Sequence, residues 1–280
     1  MSPSPAKRSY FELDRRVLFW VVAVSIGWLA VFYVRPAGIR RAYDGVLARI
    51  EAATKSRRFI PVEKLLAPIP QPYSSMLASM HNHQPQMGTD GAMHALDADA
   101  GIKIGDGLYI YELCRKVRPR HTLEVGFAEG FSTLYFLAAA KTNGVGSHVA
   151  IDPFENSDYH GIGLQKVRQT DMSSHFRFME AKSVAALPLL ASEGSKYEVI
   201  FVDGDHRYDS ELADFVLADV LCPNGGYLLF HDIWMDSTKK LISFIQRNRA
   251  DYEREPTGVN VAAFRKVGED HRDWRHFVNF

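Results

Sequence analysis

The chain has 280 residues, with 33 basic and 33 acidic side chains and therefore no net charge. A neutral chain lacks the positive excess with which nucleic-acid-binding proteins neutralise phosphates, so we expect no nucleic-acid partner. A hydrophobic content of 46% and a charged content of 24% exclude a wholly disordered protein. Two cysteines, Cys114 and Cys222, are too few for a disulfide scaffold.

The N-terminal region contains a long apolar run. Residues 17–34 read VLFWVVAVSIGWLAVFYV, eighteen residues without a charged side chain. A helix of that length extends about 27 Å, close to the roughly 30 Å hydrocarbon thickness of a bilayer. The sequence therefore predicts an N-terminal tail at 1–16 and a single transmembrane helix at 17–34. Basic residues are balanced on the two sides of this span, so the positive-inside rule does not decide its orientation.

Two segments connect the predicted span to the rest of the chain. Residues 35–60 carry apolar side chains at helical spacing beside several arginines. This pattern is typical of a basic juxtamembrane helix on an anionic membrane surface, and equally of an ordinary solvated helix. Residues 61–103 contain five prolines, which argue against a long regular element, so we interpret this segment as a linker or lid.

Apolar strand segments alternate with helical segments from residue 104 to residue 280. We predict strands at 121–125, 147–152, 176–180, 197–203, 226–231 and 259–266, with helices between them. Strands that alternate with helices form a mostly parallel sheet that is covered on both faces. The predicted fold class is therefore α/β.

The first predicted strand ends in a glycine-containing turn. It reads LEVGFAEG, in which Glu124, Gly126 and Gly130 form an E-x-G-x-x-x-G pattern. A dinucleotide-binding turn requires G-x-G-x-x-G, so the sequence disfavours a nicotinamide-dependent reductase. Glycine lets a ligand approach the backbone closely, so we expect Gly126→Val to weaken ligand binding while the domain still folds. The second strand ends at Asp152, whose carboxylate can accept hydrogen bonds from ribose hydroxyls.

Four segments, LEVGFAEGFST, AIDPF, FVDGDHRYD and LCPNGGYLLFHD, together resemble the class I S-adenosylmethionine-dependent methyltransferases. The closest resemblance is to the branch that contains sugar and macrolide O-methyltransferases, and it covers roughly residues 100–267. The resemblance implies a doubly wound, mostly parallel seven-stranded sheet of order 3-2-1-4-5-7-6, with strand 7 antiparallel. It also implies S-adenosyl-L-methionine as the cofactor.

The resemblance assigns cofactor contacts to individual residues. It implies that Glu124, Gly126 and Gly130 flank the methionine part of the cofactor. Asp152 would hold the ribose, and Ser183, after the third strand, would lie near the adenine.

The resemblance also implies a metal site beyond the fourth and fifth strands. Asp203 would face the cofactor cleft and bind a divalent metal together with Asp232 and His231, which stands where relatives often have another acid. Mg²⁺ or another divalent cation would orient an acceptor hydroxyl and lower its pKa. Imidazole prefers softer transition metals, so His231 weakens the case for Mg²⁺. Asp205 and His206 are the candidates for the base that takes the hydroxyl proton.

The sequence thus predicts a membrane-anchored O-methyltransferase of a hydroxylated small molecule, glycan or lipid-linked precursor. The alternative is a catalytically inactive accessory subunit with the same fold, in a membrane complex or an oligomer with copies of itself. S-adenosylmethionine is kept in the cytosol, so a working enzyme must place its catalytic domain on the cytoplasmic side. We expect acceptor specificity to lie in residues 61–103 and 153–162.

Overall fold

The computed structural model describes residues 60–280. The tail, the transmembrane helix and the juxtamembrane helix that the sequence predicts before residue 60 lie outside the described residues. Within residues 60–280, no helix is both long enough and apolar enough to cross a membrane.

The described part of the chain alternates between helices and strands. The helices are α1 (Val62–Leu65), α2 (Tyr73–His81), α3 (Ile104–Val117), α4 (Phe131–Asn143), α5 (Ile162–Arg168), α6 (Ser183–Ser192), α7 (Tyr208–Leu221) and α8 (Asp236–Asn248). The strands are β1 (Gln86–Met87), β2 (Met93–His94), β3 (His121–Val125), β4 (Ser147–Ile151), β5 (Phe176–Met179), β6 (Val199–Val202), β7 (Tyr227–His231), β8 (Tyr252–Glu255) and β9 (Val261–Lys266). A single 3₁₀ turn at Ser173–His175 precedes β5.

Seven strands form one sheet in the order β5-β4-β3-β6-β7-β9-β8. The five strands from β3 to β7 pair in parallel, and β9 runs antiparallel to both of its neighbours. The predicted order with one reversed strand is therefore confirmed. Chain order reverses between β3 and β6, and ligands of open α/β sheets bind beyond the carboxyl ends of the strands at such a point.

Two elements differ from the sequence-based expectation. Strand β8 reads YERE, and we did not predict it from the pattern because only Tyr252 is buried in this edge strand. The sequence pattern predicts a helix only from Leu108 to Val117, but α3 begins at Ile104, because glycines in its first turns obscure the helical signal. A Cβ atom on Gly107 would lie 2.1 Å from Cε2 of Tyr135, so this glycine lets α3 pack closely against α4.

The segment at 61–103 contains a regular helix, contrary to our expectation from its prolines. Pro72 immediately precedes the nine-residue helix α2, where a proline does not interrupt helical hydrogen bonds. Tyr73, Leu77 and Met80 of α2 are fully buried in the core beside α4. The domain boundary at residue 104 stays a prediction, but the preceding segment contributes side chains to the same core.

Two apolar layers enclose the sheet and fix its carboxyl edge. One layer includes α2, α3 and α4, and the other includes α6, α7 and α8. All four residues of the central strand, Val199–Val202, are buried. The residues that directly follow β6 and β7 are therefore held on a rigid support.

Candidate active site

The glycine turn after β3 is shaped by contacts with the protein itself. Gly126 has a φ of +92°, and a Cβ atom there would lie 2.0 Å from the carbonyl oxygen of Asp203. Gly130 has a φ of +82°, and a Cβ atom there would lie 2.9 Å from Cα of Gly163. Our expectation that Gly126→Val leaves the fold intact is therefore wrong, because any side chain at 126 collides with the end of β6.

Asp152 holds this turn in place. Its Oδ2 accepts hydrogen bonds from the backbone amides of Phe127 (3.0 Å) and Ala128 (2.9 Å), and its Oδ1 accepts one from Phe154 (2.7 Å). A carboxylate offers about four acceptor positions, so about one remains, on Oδ1. The predicted ribose contact therefore has room for one hydroxyl rather than two.

Glu124 lies inside the fold. Its carboxylate is completely buried, accepts a hydrogen bond from the Thr133 hydroxyl, and lies 3.3 Å from Nε2 of His148 on β4. Alternation along β3 turns this side chain toward α4, and the contact of Glu124 with the cofactor stays a prediction.

Three side chains beyond β6 and β7 form a cluster that could bind a metal. One ligand atom from each of Asp203, His206 and Asp232 lies within 4.8 Å of the other two. Nε2 of His206 lies 3.3 Å from Oδ2 of Asp232 and 3.7 Å from Oδ1 of Asp203. Two carboxylate oxygens and one imidazole nitrogen suit a divalent transition metal better than Mg²⁺.

His231 lies behind this cluster rather than in it, so its predicted role as a metal ligand is wrong. Nδ1 of His231 lies 3.0 Å from Oδ1 of Asp203, and Nε2 lies 3.3 Å from Oδ2 of Asp106. Burial disfavours the charged ring, but the carboxylates of Asp203, Asp106 and Asp232 outweigh it and raise the pKa of His231 to about 12. Both ring nitrogens of His231 thus face carboxylate oxygens, at 3.0 and 3.3 Å, which leaves neither free for a metal.

Asp205 is also corrected, because it faces solvent and is fully engaged. Its oxygens accept hydrogen bonds from the Arg207 side chain, at 2.6 Å from Nη2, and from the hydroxyl of Ser210 at 2.9 Å. These bonds lower the pKa of Asp205 to about 2, although the slight burial of the group opposes this. A carboxylate so weakly basic is a poor general base near neutral pH.

Comparison with solved structures identifies the fold. The O-methyltransferase TomG from Streptomyces achromogenes, solved in complex with S-adenosylmethionine, aligns with a TM-score of 0.55 at 16% identity, over 71% of this chain and 91% of TomG. A methyltransferase from Podospora anserina, solved with bound S-adenosylhomocysteine, aligns with a TM-score of 0.53 at 14% identity, over 80% of this chain and 96% of its own. Similarity at these identities shows the fold.

Sequence comparison agrees with the structural one. The family model of a methyltransferase domain matches residues 123–233, from β3 to just beyond β7. Residues 123–233 of the chain are thus similar to a methyltransferase domain. The predicted resemblance to S-adenosylmethionine-dependent methyltransferases of the O-methyltransferase branch is therefore confirmed.

One curated relative matches part of this chain. Tapetum-specific methyltransferase 1 from Arabidopsis thaliana is 24% identical over 109 residues, which is 39% of this chain and 45% of that protein. The match thus spans less than half of the relative's length.

Two buried acids that we missed in the sequence suit the cationic cofactor of such a domain. Glu129 accepts a hydrogen bond from the backbone amide of Asp97 (2.7 Å), and Glu155 accepts one from that of Leu164 (3.0 Å). In each, Oε2 is buried without a partner among the described residues. Burial raises the pKa of Glu129 to about 7, and burial together with nearby Asp152 raises that of Glu155 to about 8. A bound cation would compensate these carboxylates.

Ser183 begins α6, directly beyond the end of β5. Nearby on α7 lies Asp214, a buried carboxylate whose pKa burial raises to about 6. The contact of Ser183 with adenine stays a prediction.

The two segments expected to select the acceptor contact each other. The backbone amide of Thr89, between β1 and β2, donates to the carbonyl of His160 (3.0 Å). The ring of His94 stacks on that of His160 with centroids 3.9 Å apart. The hairpin at 86–94 therefore packs on the loop that follows Asp152, beside the cofactor turn.

Proposed function

We propose that the protein is a membrane-anchored, S-adenosylmethionine-dependent O-methyltransferase of a hydroxylated small molecule, glycan or lipid-linked precursor. Asp203, His206 and Asp232 would hold a divalent metal that could assist the transfer. One observation supports this proposal most directly. The carbonyl of Asp203 abuts Gly126, so the metal cluster and the cofactor turn share one edge of the sheet.

Three buried acids beside the glycine turn would contact the methyl donor. Asp152 fixes the turn through the amides of Phe127 and Ala128 and keeps an acceptor for a ribose hydroxyl. Glu129 and Glu155 offer unpartnered buried oxygens to a ligand that carries a sulfonium and an ammonium group. The acids thereby favour the cofactor over a neutral or anionic nucleoside.

The acceptor side is formed by the metal cluster. A divalent cation, when bound, would act as a Lewis acid that lowers the pKa of the acceptor hydroxyl. Asp203 and Asp232 supply oxygens, and His206 supplies Nε2, so in this proposal His206 is a ligand rather than the base. The three side chains are 18%, 20% and 26% exposed, so the hydroxyl proton leaves to water.

Holding the hydroxyl oxygen in line with the S–CH₃ bond removes much of the entropic cost of a bimolecular reaction. The close contact between Gly126 and Asp203 suits such a geometry. The cofactor turn follows β3 and the metal cluster follows β6, and these two strands are neighbours in the sheet. The hairpin at 86–94 covers the loop after Asp152 and would limit the acceptors that enter.

The anchor and its orientation belong to the proposal. The apolar run at 17–34 supports a single span, and the cytosolic location of S-adenosylmethionine supports a catalytic domain on the cytoplasmic side. A membrane-bound enzyme would meet lipid-linked or membrane-associated acceptors most readily.

The proposal is tested by calorimetry on the full chain in detergent. We expect S-adenosylhomocysteine to bind, and Mn²⁺ to bind to the wild type but at least tenfold more weakly to Asp203→Asn. Transfer of a labelled methyl group from S-adenosylmethionine to a fractionated membrane extract then identifies the acceptor class. A chain that binds neither cofactor nor metal would be the inactive accessory subunit instead.

A further inference from the structure

A buried carboxylate on α3 connects to one side of the metal cluster. Asp106 is 2% exposed, and its Oδ2 lies 3.3 Å from Nε2 of His231. Nδ1 of the same ring lies 3.0 Å from Oδ1 of Asp203. His231 thus bridges Asp106 to the first metal carboxylate.

The other oxygen of Asp106 connects to the opposite side of the cluster. Oδ1 accepts a hydrogen bond from the backbone amide of Asn260 (2.9 Å). The side-chain amide of Asn260 donates in turn to Oδ1 of Asp232 (2.8 Å). Each oxygen of one carboxylate is therefore linked, through one intermediate residue, to one of the two metal carboxylates.

A purely structural role would not need this arrangement. Asp106 also accepts a hydrogen bond from the backbone amide of Lys103 (3.3 Å), as a helix-capping acid does. Capping alone uses one oxygen and can be done at the surface. Here the carboxylate is buried between α3, β7 and the turn before β9, with both oxygens engaged by those two arms.

We propose that Asp106 is a positioning residue that sets the spacing of Asp203 and Asp232 through His231 and Asn260. This inference rests on the proposed metal-assisted function. Residues that orient metal ligands through hydrogen bonds commonly change metal affinity by 10–100-fold when they are replaced. No sequence motif connects Asp106, His231 and Asn260, which are distant from one another in the sequence.

The first test is metal affinity. In Asp106→Asn an amide NH₂ replaces one oxygen, so a donor faces either the His231 ring or the Asn260 amide and one arm breaks. We expect calorimetry on the full chain to show at least tenfold weaker Mn²⁺ binding, with S-adenosylhomocysteine affinity within about threefold of wild type. The matched control is Asp251→Asn, the same change at a buried aspartate bound by Arg249. It should leave Mn²⁺ affinity unchanged.

The second test needs no metal. The indole Nε1 of Trp234 donates to Oδ1 of Asp232 (2.8 Å), so this ring reports where that carboxylate lies. The chain has four tryptophans, so 5-fluorotryptophan labelling gives four ¹⁹F resonances, and Trp234→Phe assigns the relevant one. We expect this resonance to shift in Asp106→Asn and in Asn260→Ala, which cuts one arm only, and to stay in place in Asp251→Asn.

The outcomes separate this inference from the proposed function. Equal Mn²⁺ affinity in wild type and Asp106→Asn, or an unmoved Trp234 resonance in both variants, overturns the positioning role. A wild type that binds S-adenosylhomocysteine but no Mn²⁺ overturns metal assistance, and the ¹⁹F shift then still decides whether Asp106 positions Asp232. If Asp106→Asn does not fold, Asn260→Ala carries both measurements.

Discussion

The carboxylate of Asp152 binds the backbone amide of Ala128 at 2.9 Å, and Ala128 has a φ of +42°, a left-handed conformation that costs a non-glycine residue energy. The acid at the end of β4 therefore stabilises a strained turn at the end of β3. Because that turn borders the cofactor cleft, cofactor affinity should depend on Asp152 in two ways, through the turn and through the free acceptor on Oδ1.

We expect Asp152→Ala to weaken S-adenosylhomocysteine binding at least tenfold, because the amides of Phe127 and Ala128 lose their acceptor and the ribose loses its contact. Calorimetry measures the change. Asp158→Ala, in an exposed position of the same loop, is the control and should bind normally. An unchanged affinity in Asp152→Ala would remove this carboxylate from the cofactor site.

The contact between Gly126 and Asp203 predicts a loss of stability. Gly126→Ala would place Cβ 2.0 Å from the Asp203 carbonyl oxygen, whereas Gly194, also at positive φ (+73°), has nothing within 4 Å. Both alanine variants incur the left-handed backbone cost of about 1–2 kcal/mol, but only the first must separate β3 from β6. Denaturant unfolding should therefore show a larger loss for Gly126→Ala, and equal losses would contradict the close contact.

The sheet was predictable from sequence because its strands are apolar and buried. Val199–Val202 and Tyr227–His231 are each buried throughout, and such runs stand out between helices. The edge strand β8 has one buried residue in four, so its pattern resembles a solvated segment. Helix α2 was hidden by prolines that flank it rather than interrupt it.

The site was predictable only where one motif holds several of its members. The stretch from Asp203 to His206 and the end of β7 gave most of the metal cluster. Asp106 and Asn260 were missed because only folding brings α3 and the turn before β9 to the same carboxylates. The sequence predicted His231 as the metal ligand, whereas the structure places His206 in the cluster. Which histidine faces the carboxylates depends on side-chain direction, and residue spacing after a strand does not determine that direction.

The cluster geometry predicts opposite outcomes for two neighbouring residues. His206→Ala should weaken Mn²⁺ binding at least tenfold, because Nε2 faces both metal carboxylates. Asp205→Ala should leave Mn²⁺ affinity within about threefold of wild type, because its carboxylate is bonded to Arg207 at the surface. Calorimetric titration of both variants with Mn²⁺ tests this, and a large effect of Asp205→Ala alone would place Asp205 rather than His206 in the metal site.

The buried acids predict a pH-dependent stability of the ligand-free protein. Burial raises the pKa of Glu155 from 4.5 to about 8, so the folded state holds its proton more tightly than the unfolded chain does. The stabilisation that protonated Glu155 contributes is therefore complete below pH 4.5 and is lost as the pH rises through about 8. Over this range the equilibrium constant for unfolding rises by up to about tenfold per pH unit. Glu155→Gln stays neutral, so relative to wild type it should melt higher at pH 8 than at pH 5.

Melting curves at the two pH values test this difference. The exposed Glu112→Gln is the control and should follow the wild type at both. If the melting temperature falls by the same amount between pH 5 and pH 8 in the wild type and in Glu155→Gln, other groups cause the pH dependence. Glu129, whose pKa is about 7, is then the first candidate.

The last prediction concerns the orientation of the proposed membrane span, which the sequence alone does not determine. Basic residues are balanced about the apolar run at 17–34, so charge permits either orientation of the proposed span. The methyl donor is cytosolic, and Cys114 and Cys222 are buried free thiols, as suits a reducing compartment. Protease added to sealed, right-side-out vesicles should therefore spare residues 35–280 until detergent opens the membrane. Digestion of the domain in intact vesicles would show that it lies outside the compartment that contains the methyl donor. That result would favour the accessory-subunit alternative.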